Sequence, residues 1–182
     1  MILVHTCCAI CLSYVRKKLE EEGYEIISFW YNPNIHPYRE FLKRRDSLKK
    51  YAELTNLDVI YDDEYPLTNI LENMAKLTKK NPVYRCRYCY ELRLDKTAKL
   101  AKRMNIDTFT TTLLISPYQK HEEIKKIGEN IANKYGIKFL YRDFREGFKE
   151  AHRLVKGMSL YHQNYCGCVF SEYEKYLFKN KI

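Results

Sequence analysis

The sequence predicts an α/β fold, a Rossmann-like three-layer sandwich with a mainly parallel five-stranded sheet. The first observation is that short apolar runs, rich in Ile, Val, Phe and Thr, alternate along the chain with longer helical segments. Strands that alternate with helices form parallel sheets through right-handed crossovers. The second is that no linker, low-complexity tract or internal repeat interrupts the 182 residues. We therefore expect one domain over residues 1–182, with ligands bound beyond the carboxyl ends of the strands.

The first half of the chain alternates strands and helices in a regular order. Gly23 stops the first helix, and Pro66 suits the first turn of the third. Asn81-Pro82 then breaks that third helix. In order, the expected elements are a strand over 1–5, a helix over 11–22, a strand over 24–31, a two-proline loop over 32–37, a basic helix over 38–55, a strand over 57–61 and a helix over 66–77.

The second half continues the same alternation. A Thr-rich apolar run is followed by Ser116-Pro117, and Gly136 marks the end of the helix that comes next. The expected elements are a helix over 86–104, a strand over 107–114, a helix over 121–135, a strand over 137–141 and two final helices over 144–156 and 171–178.

Composition restricts the kind of protein. No run approaches the ~18 apolar residues that a membrane helix needs. The N-terminus also lacks the basic and long apolar regions of a signal peptide, so we expect a cytoplasmic protein with no membrane partner. Lysine and arginine total 32 against 23 aspartates and glutamates, a net charge of +9. This excess suits a polyanionic partner, and it is equally consistent with an ordinary solvated surface.

Seven cysteines fall in three tight groups, with none elsewhere. In a reducing compartment such groups indicate metal binding or redox chemistry rather than a disulfide framework. Small buried hydrophobic residues would explain one or two of them, but not the grouping. The groups are Cys7, Cys8 and Cys11; Cys86 and Cys89; and Cys166 and Cys168.

The first group occupies the turn between the first strand and the first helix. A nucleotide-binding protein carries a glycine-rich phosphate loop there, and this turn has no glycine, which argues against a dinucleotide or P-loop site. We expect the helix N-terminal amides to lower the pKa of Cys7 and Cys8 and so favour the metal-binding thiolate. Cys11 follows one helical turn later on the same side.

The other two groups leave several chemistries open. Cys86-x-x-Cys89 at a helix start suits zinc, an iron–sulfur cluster or a thioredoxin-like redox site. Together with the first group it allows either tetrahedral zinc or a 4Fe–4S cluster. The CxxxCxxC pattern of radical-SAM enzymes is absent. Cys166-Gly167-Cys168 favours a small, easily reduced disulfide ring that stores two electrons, with metal binding or packing as the alternative.

Six blocks, taken in order, resemble the QueH family of epoxyqueuosine reductases over nearly the whole chain. The blocks are HTCCAIC, YNPNIHPYREF, CRYCYELRL, TTTLLISPYQKHEEIKKIGE, YRDFREGF and YCGCVFSEYEK. The resemblance implies a HUP-like fold and a cobalamin-independent enzyme that uses iron–sulfur chemistry. It also implies the reaction, which is reduction of the epoxide of epoxyqueuosine to queuosine at the wobble position of tRNA, with the anticodon stem-loop as partner and an unidentified electron donor.

The resemblance also implies roles for individual cysteines. Carried over by position, Cys7, Cys8, Cys86 and Cys89 would hold a 4Fe–4S cluster, and Cys166 and Cys168 would form the catalytic redox-active pair. The family is further associated with a second, mononuclear iron beside the cluster. Our candidates for its ligands are Cys11 and Asp143, and we expect this iron to act as a Lewis acid on the epoxide oxygen.

Other side chains are candidates for RNA contact and proton transfer, although for any single RNA-contact candidate an ordinary solvated charge or a packed ring is the favoured interpretation. Basic residues would bind anticodon-stem phosphates, and exposed tyrosines would stack on a splayed-out base. The basic candidates are Lys43, Arg44, Arg45, Lys49, Lys50, Arg85, Arg87 and Arg93, and the tyrosines are Tyr38, Tyr88 and Tyr118. The candidate proton donors are His5, His36, His121, His152 and His162, with His36 and His121 favoured because they lie in the matching blocks.

Three other functions compete with the reductase. The main alternative is a zinc-stabilised tRNA-binding protein without redox activity, which would carry zinc but no acid-labile sulfide. A PP-loop ATPase or tRNA thiolase on the same fold would need a glycine- or serine-rich loop where Cys7-Cys8-Ala9 stands. A thiol oxidoreductase acting on proteins would use one CxxC and leave two cysteine groups unexplained. The reductase accounts for all three groups.

Overall fold

The computed structural model describes residues 1–179 and has the predicted α/β architecture. These residues form five strands and seven α-helices, which alternate except where the fourth helix follows the third and the seventh follows the sixth, and two short 3-10 helices. In order they are β1 (Ile2–His5), α1 (Ala9–Glu21), β2 (Ile26–Trp30), α2 (Tyr38–Thr55), β3 (Val59–Tyr61), α3 (Leu67–Lys80), α4 (Pro82–Arg103), β4 (Thr108–Thr111), a 3-10 helix (Thr112–Ile115), α5 (His121–Tyr135), β5 (Lys138–Phe139), a 3-10 helix (Arg145–Gly147), α6 (Phe148–Leu154) and α7 (Val169–Lys179).

The five strands form one sheet in the order β3-β2-β1-β4-β5, and every neighbouring pair is parallel. At the carboxyl end of β1, His5 is aligned with Phe29 of β2 on one side and with Thr111 of β4 on the other. The central strand β1 is fully buried, as expected for a parallel sheet that is covered on both faces. The prediction of a mainly parallel sheet is confirmed, and the described sheet is entirely parallel.

The strand order reverses direction at β1, and this reversal positions the site. The chain moves from β1 outward to β2 and β3, and then returns to place β4 on the other side of β1. Helix α1 packs against α2 and α6, whereas α4 packs against α3, α5 and the central strands. The segments that follow β1 and β4 therefore diverge to opposite faces and leave a crevice between them, where ligands of such sheets bind.

Several predicted element bounds were wrong, for local reasons. Helix α4 begins at Pro82 rather than Cys86, because Asn81 caps it by accepting a hydrogen bond from the Val83 N–H and Pro82 occupies the first turn. Asn81-Pro82 thus ends one helix and begins the next. Strand β4 is shorter than predicted because its last residues turn into a 3-10 helix, in which the Thr111 side chain caps the Leu113 N–H. By contrast, α2 and α5 have the predicted bounds.

No helix within residues 1–179 is both long enough and apolar enough to cross a membrane.

Candidate active site

A cavity of about 610 Å³ opens beyond the carboxyl ends of the strands, in the crevice beside β1 and β4. Its lining contains at least one cysteine from each of the three groups. The segments after β1 and β4 and the N-terminal half of α4 form much of its wall, and residues 163–166 of the loop before α7 line another side. The cysteines that line it are Cys7, Cys11, Cys86 and Cys166.

Cys7, Cys8 and Cys11 form a compact group of buried thiols. Their three Sγ atoms lie within 4.8 Å of one another. Cys8 is the N-cap of α1, and its Sγ accepts a hydrogen bond from the Cys11 N–H at 3.3 Å. Cys8 itself has an extended backbone. The end of β1 and the start of α1 thus bring three sulfurs to one place.

Two side chains from distant segments hold these sulfurs. Thr112, directly after β4, accepts a hydrogen bond from the Cys7 N–H at 3.0 Å and donates one to Cys7 Sγ at 3.3 Å. Gln163 donates its Nε2–H to Cys8 Sγ at 2.8 Å and lies 3.9 Å from Cys11 Sγ. Hydrogen-bond donors aimed at thiolate sulfurs orient ligands and tune the group that they bind. Neither residue was among the sequence-based candidates.

The pKa values of this group differ from the sequence-based expectation. Hydrogen bonds from the thiols of Cys11 and Cys8 hold the pKa of Cys7 well below its usual value. Burial raises the pKa of Cys8 to about 12, and the contacts with Cys7 and Cys8 raise that of Cys11. The expectation that helix amides would lower the pKa of Cys8 was wrong, because burial outweighs its single amide contact. Cys7 is therefore the most acidic of the three thiols, and contacts with the other two account for most of its acidity.

Cys86 and Cys89 lie in the second and third turns of α4 rather than at its start. Cys86 is half-buried and lines the cavity, whereas Cys89 is buried behind it. Burial raises the pKa of Cys86, and it raises that of Cys89 to about 11. The Arg93 guanidinium donates to the Cys89 carbonyl at 2.9 Å and lies 3.6 Å from its Sγ. The positive charge of Arg93 opposes the rise in the pKa of Cys89 that burial causes.

The segment 165–168 is held against the cavity by Arg44. The Arg44 side chain is 2% exposed, and it forms an ion pair with Glu40 at 2.7 Å. It also donates to the carbonyls of Tyr165 and Cys166 at 3.0 and 3.1 Å. Gly167 has φ +129°, and a Cβ there would lie 3.0 Å from the Ile35 side chain and 3.3 Å from Arg44. The tight turn between the two cysteines therefore requires glycine.

Cys166 and Cys168 have opposite acidities. Cys166 faces the cavity, and its Sγ lies 3.0 Å from Ser171 Oγ. A hydrogen bond from the Cys168 thiol, aided by Ser171, lowers the pKa of Cys166 to about 5. The same contact raises the pKa of the buried Cys168 far above its usual value. The described cysteines are all free thiols, and this pair would hold a thiolate at the cavity and a proton directly behind it.

Asp143 lies elsewhere. It is not among the residues that line the cavity, and both of its carboxylate oxygens accept hydrogen bonds from Arg145. That guanidinium lowers the pKa of Asp143 to about 2. The structure thus does not bring Asp143 together with Cys11, and the carboxylate that does line the cavity belongs to Glu174.

The basic candidates for RNA contact divide into two classes. Arg44, Arg85 and Arg93 are buried, so their assignment to phosphate was wrong. Each instead contacts a partner inside the protein. Arg85 donates from Nη2 to Glu174 of α7 at 2.6 Å. Arg44 is paired with Glu40, and Arg93 donates to the Cys89 carbonyl. Arg45 and Arg87 form ion pairs with Asp63 and Glu123. The candidates that remain exposed without an ion pair in the described chain are Lys43, Lys49 and Lys50.

The favoured histidines are buried. His36 is 4% exposed and His121 is 6% exposed, and burial lowers the pKa of His36 to about 4. His5 is also buried and lies beneath the site, with Nδ1 2.9 Å from Thr111 Oγ1. Because His36 is neutral and enclosed at physiological pH, it is poorly suited to deliver protons. His152 is exposed and lines the cavity, which makes it the better placed of the five.

Known proteins resemble this chain along nearly its whole length. The family model described as "Epoxyqueuosine reductase QueH" matches residues 2–174. Proteins named "Epoxyqueuosine reductase QueH" from Dehalococcoides mccartyi and Thermotoga maritima are 35% and 37% identical to it. The alignments cover 96% of this chain in both cases, and 94% and 91% of those proteins. A protein of the same name from Helicobacter pylori is 35% identical over 93% of this chain and 49% of its own length.

Proposed function

This chain belongs to the QueH family of epoxyqueuosine reductases, and from that we propose that it reduces the epoxide of epoxyqueuosine in tRNA to the alkene of queuosine. The observation that carries the proposal is the convergence of thiols from three distant segments on one cavity, in a chain that matches the family over residues 2–174. A sulfur-rich crevice at the strand ends is suited to electron transfer, and the glycine-free turn after β1 is not suited to phosphate binding.

The reaction requires two electrons and two protons. The epoxide oxygen leaves as water, both of its C–O bonds break, and a C=C bond forms between the two carbons. Oxidation of the Cys166 thiolate and the Cys168 thiol to a disulfide releases two electrons and one proton. The second proton comes from solvent through the cavity, so the two half-reactions balance. The proposed disulfide is then reduced by an external thiol or another two-electron donor.

The acidities of the two cysteines fit this role. Cys166 would be a thiolate at neutral pH because its pKa is lowered to about 5, and Cys168 would keep its proton. The pair therefore holds an electron-rich sulfur at the cavity with a proton behind it. An external thiol would reach the disulfide at Cys166, the sulfur that faces the cavity, and release Cys168.

We propose Cys7, Cys8, Cys86 and Cys89 as the ligands of a 4Fe–4S cluster, with Cys11 beside them as a ligand of a second iron. The donor set fits such a group, because soft thiolate ligands select iron–sulfur clusters or zinc. Arg85, beside Cys86, keeps its buried Nε and Nη1 without a partner among the described residues, and inorganic sulfide accepts such donors. When bound, a cluster transfers electrons one at a time.

The cavity also suits the proposed substrate. Its volume of about 610 Å³ lies within the range of sites that enclose small molecules. A nucleotide in a loop of RNA reaches such a site by leaving the base stack. Glu174 and His152 line the same cavity and are the candidate groups for positioning the substrate and moving protons near the epoxide.

The proposal is tested by anaerobic purification followed by metal analysis and an assay. Iron and acid-labile sulfide are quantified, and loss of epoxyqueuosine is measured on tRNA with a chemical reductant. We expect both elements in stoichiometric amounts and conversion to queuosine. Zinc without sulfide, together with intact tRNA-borne epoxide, would instead identify the zinc-stabilised tRNA-binding protein.

A further inference from the structure

A row of four aromatic rings runs along one side of the cavity. The Tyr118 and Phe148 rings are 6.1 Å apart, edge to face, and the Phe148 and His152 rings are 5.4 Å apart. His162 continues the row, with its ring 5.5 Å from that of His152. Tyr118, Phe148 and His152 all line the cavity. We call these four residues the aromatic row.

The outer end of the row is unusually open. Tyr118 is 82% exposed, the most exposed large hydrophobic side chain within residues 1–177. It follows Pro117 in the loop before α5. The Tyr90 hydroxyl anchors that loop, because it accepts a hydrogen bond from the Lys120 N–H and donates one to the Gln119 side chain. Among the ring pairs of the described residues, Tyr118 takes part in one, the edge-to-face pair with Phe148. A large apolar ring held at a cavity mouth by an anchored loop is typical of a binding surface.

Positive charge flanks the row. Lys120, Lys149 and Arg153 are exposed, and none of them forms an ion pair in the described part of the chain. Lys149 and Arg153 each directly follow a member of the row on α6, at Phe148 and His152. Glu150 on the same helix is engaged by Lys17. Rings with unpaired cations beside them match single-stranded nucleic acid, whose bases stack on aromatic faces and whose phosphates meet the cations.

We propose that the aromatic row is the binding surface for unpaired RNA bases beside the modified nucleotide, with Tyr118 as the ring on which a base stacks. This inference rests on the proposed function, since it assigns the flanking nucleotides of that substrate. Lys120, Lys149 and Arg153 contact the adjoining phosphates. The row then selects single-stranded loops over duplexes, because paired bases offer no free face to a side chain.

The test compares RNA binding by Tyr118→Ala and Tyr118→Phe with that of the unaltered holoprotein. Fluorescence anisotropy is measured with two probes, a seven-base anticodon-type loop on a short stem and a fully paired duplex of the same length. Removing one stacking ring weakens binding by about tenfold. We therefore expect Tyr118→Ala to lose about tenfold in affinity for the loop and little for the duplex, whereas Tyr118→Phe, which keeps the ring, binds both like the parent.

Salt dependence separates stacking from charge. Lys120→Gln is expected to reduce the slope of log affinity against log salt by about 0.7, the value for one phosphate contact on a single strand. Tyr118→Ala should leave that slope unchanged. Equal losses for loop and duplex, or unchanged loop affinity in Tyr118→Ala with a parental melting temperature, would overturn the inference. Loop selectivity that depends on Tyr118 in a protein that leaves the epoxide intact would refute the proposed function and support only the stacking of unpaired bases on the aromatic row.

Discussion

Serine at both Cys166 and Cys168 is expected to abolish multiple turnover while leaving bound iron and sulfide unchanged. The two sulfurs form the proposed two-electron store at the cavity, and serine supplies neither the electrons nor a low-pKa group. We expect steady-state conversion of epoxyqueuosine on tRNA to fall by about a hundredfold or more. Loss of the proton transfer by this pair alone would account for that magnitude. The measurement is multiple-turnover formation of queuosine with a thiol reductant.

Ser171→Ala is the matched control for this loss. It removes the hydroxyl that lies 3.0 Å from Cys166 Sγ and keeps both sulfurs. Turnover should survive in this variant, and the pKa of Cys166 should rise modestly because Ser171 is only one of the contacts that lower it. Full multiple turnover in the double serine variant, with parental iron and sulfide, would remove the dithiol from the mechanism.

Arg44→Met is expected to lower the free energy of unfolding by about 3–5 kcal/mol, the usual effect of removing one partner from a buried ion pair. Glu40 is 6% exposed, and Arg44 is its cationic partner at 2.7 Å. Tyr161 also donates to this carboxylate, at 2.6 Å, but it carries no positive charge. The variant also leaves the carbonyls of Tyr165 and Cys166 without their donor, which frees the segment that bears the redox pair.

Arg45→Met provides the control, because it replaces the same residue type on the same helix. Arg45 pairs with Asp63 at 2.9 Å, and the Asp63 side chain is 46% exposed, so its loss should change the free energy of unfolding by only about 0–1 kcal/mol. Glu40→Leu combined with Arg44→Met should recover part of the loss, since no uncompensated charge remains. Urea unfolding measures all three variants. Equal effects of the two single arginine variants would contradict the role given to Arg44.

Topology was predictable because each element carries its own local signal. Gly136 in a left-handed conformation ends α5 where the sequence indicated, and Pro37 precedes the first turn of α2. The start of α4 was missed because Asn81-Pro82 was interpreted only as a helix break, although asparagine caps and proline opens helices. The 3-10 turn after Thr111 depends on a side-chain cap that an apolar pattern does not indicate.

The gathering of cysteines followed from topology alone, because the carboxyl ends of parallel strands meet at one edge of the sheet. The contacts of Thr112 and Gln163 with sulfur were not predictable, since they join segments distant in sequence and neither residue type marks a sulfur site. The role of Arg44 had a signal that was missed. Glu40 stands four residues before it, the spacing of a helical ion pair, and such a pair argued against a free phosphate-binding arginine.

The central claim is that the segment with Cys7 and the segment with Cys86 hold one shared cofactor. It is tested most directly by iron and acid-labile sulfide content in Cys7→Ser, Cys86→Ser and the double variant, each purified anaerobically and checked for folding by circular dichroism. A shared cofactor predicts that each single variant loses essentially all the sulfide, and that the double variant loses no more. Partial losses that add up in the double variant would show two separate sites and contradict the claim.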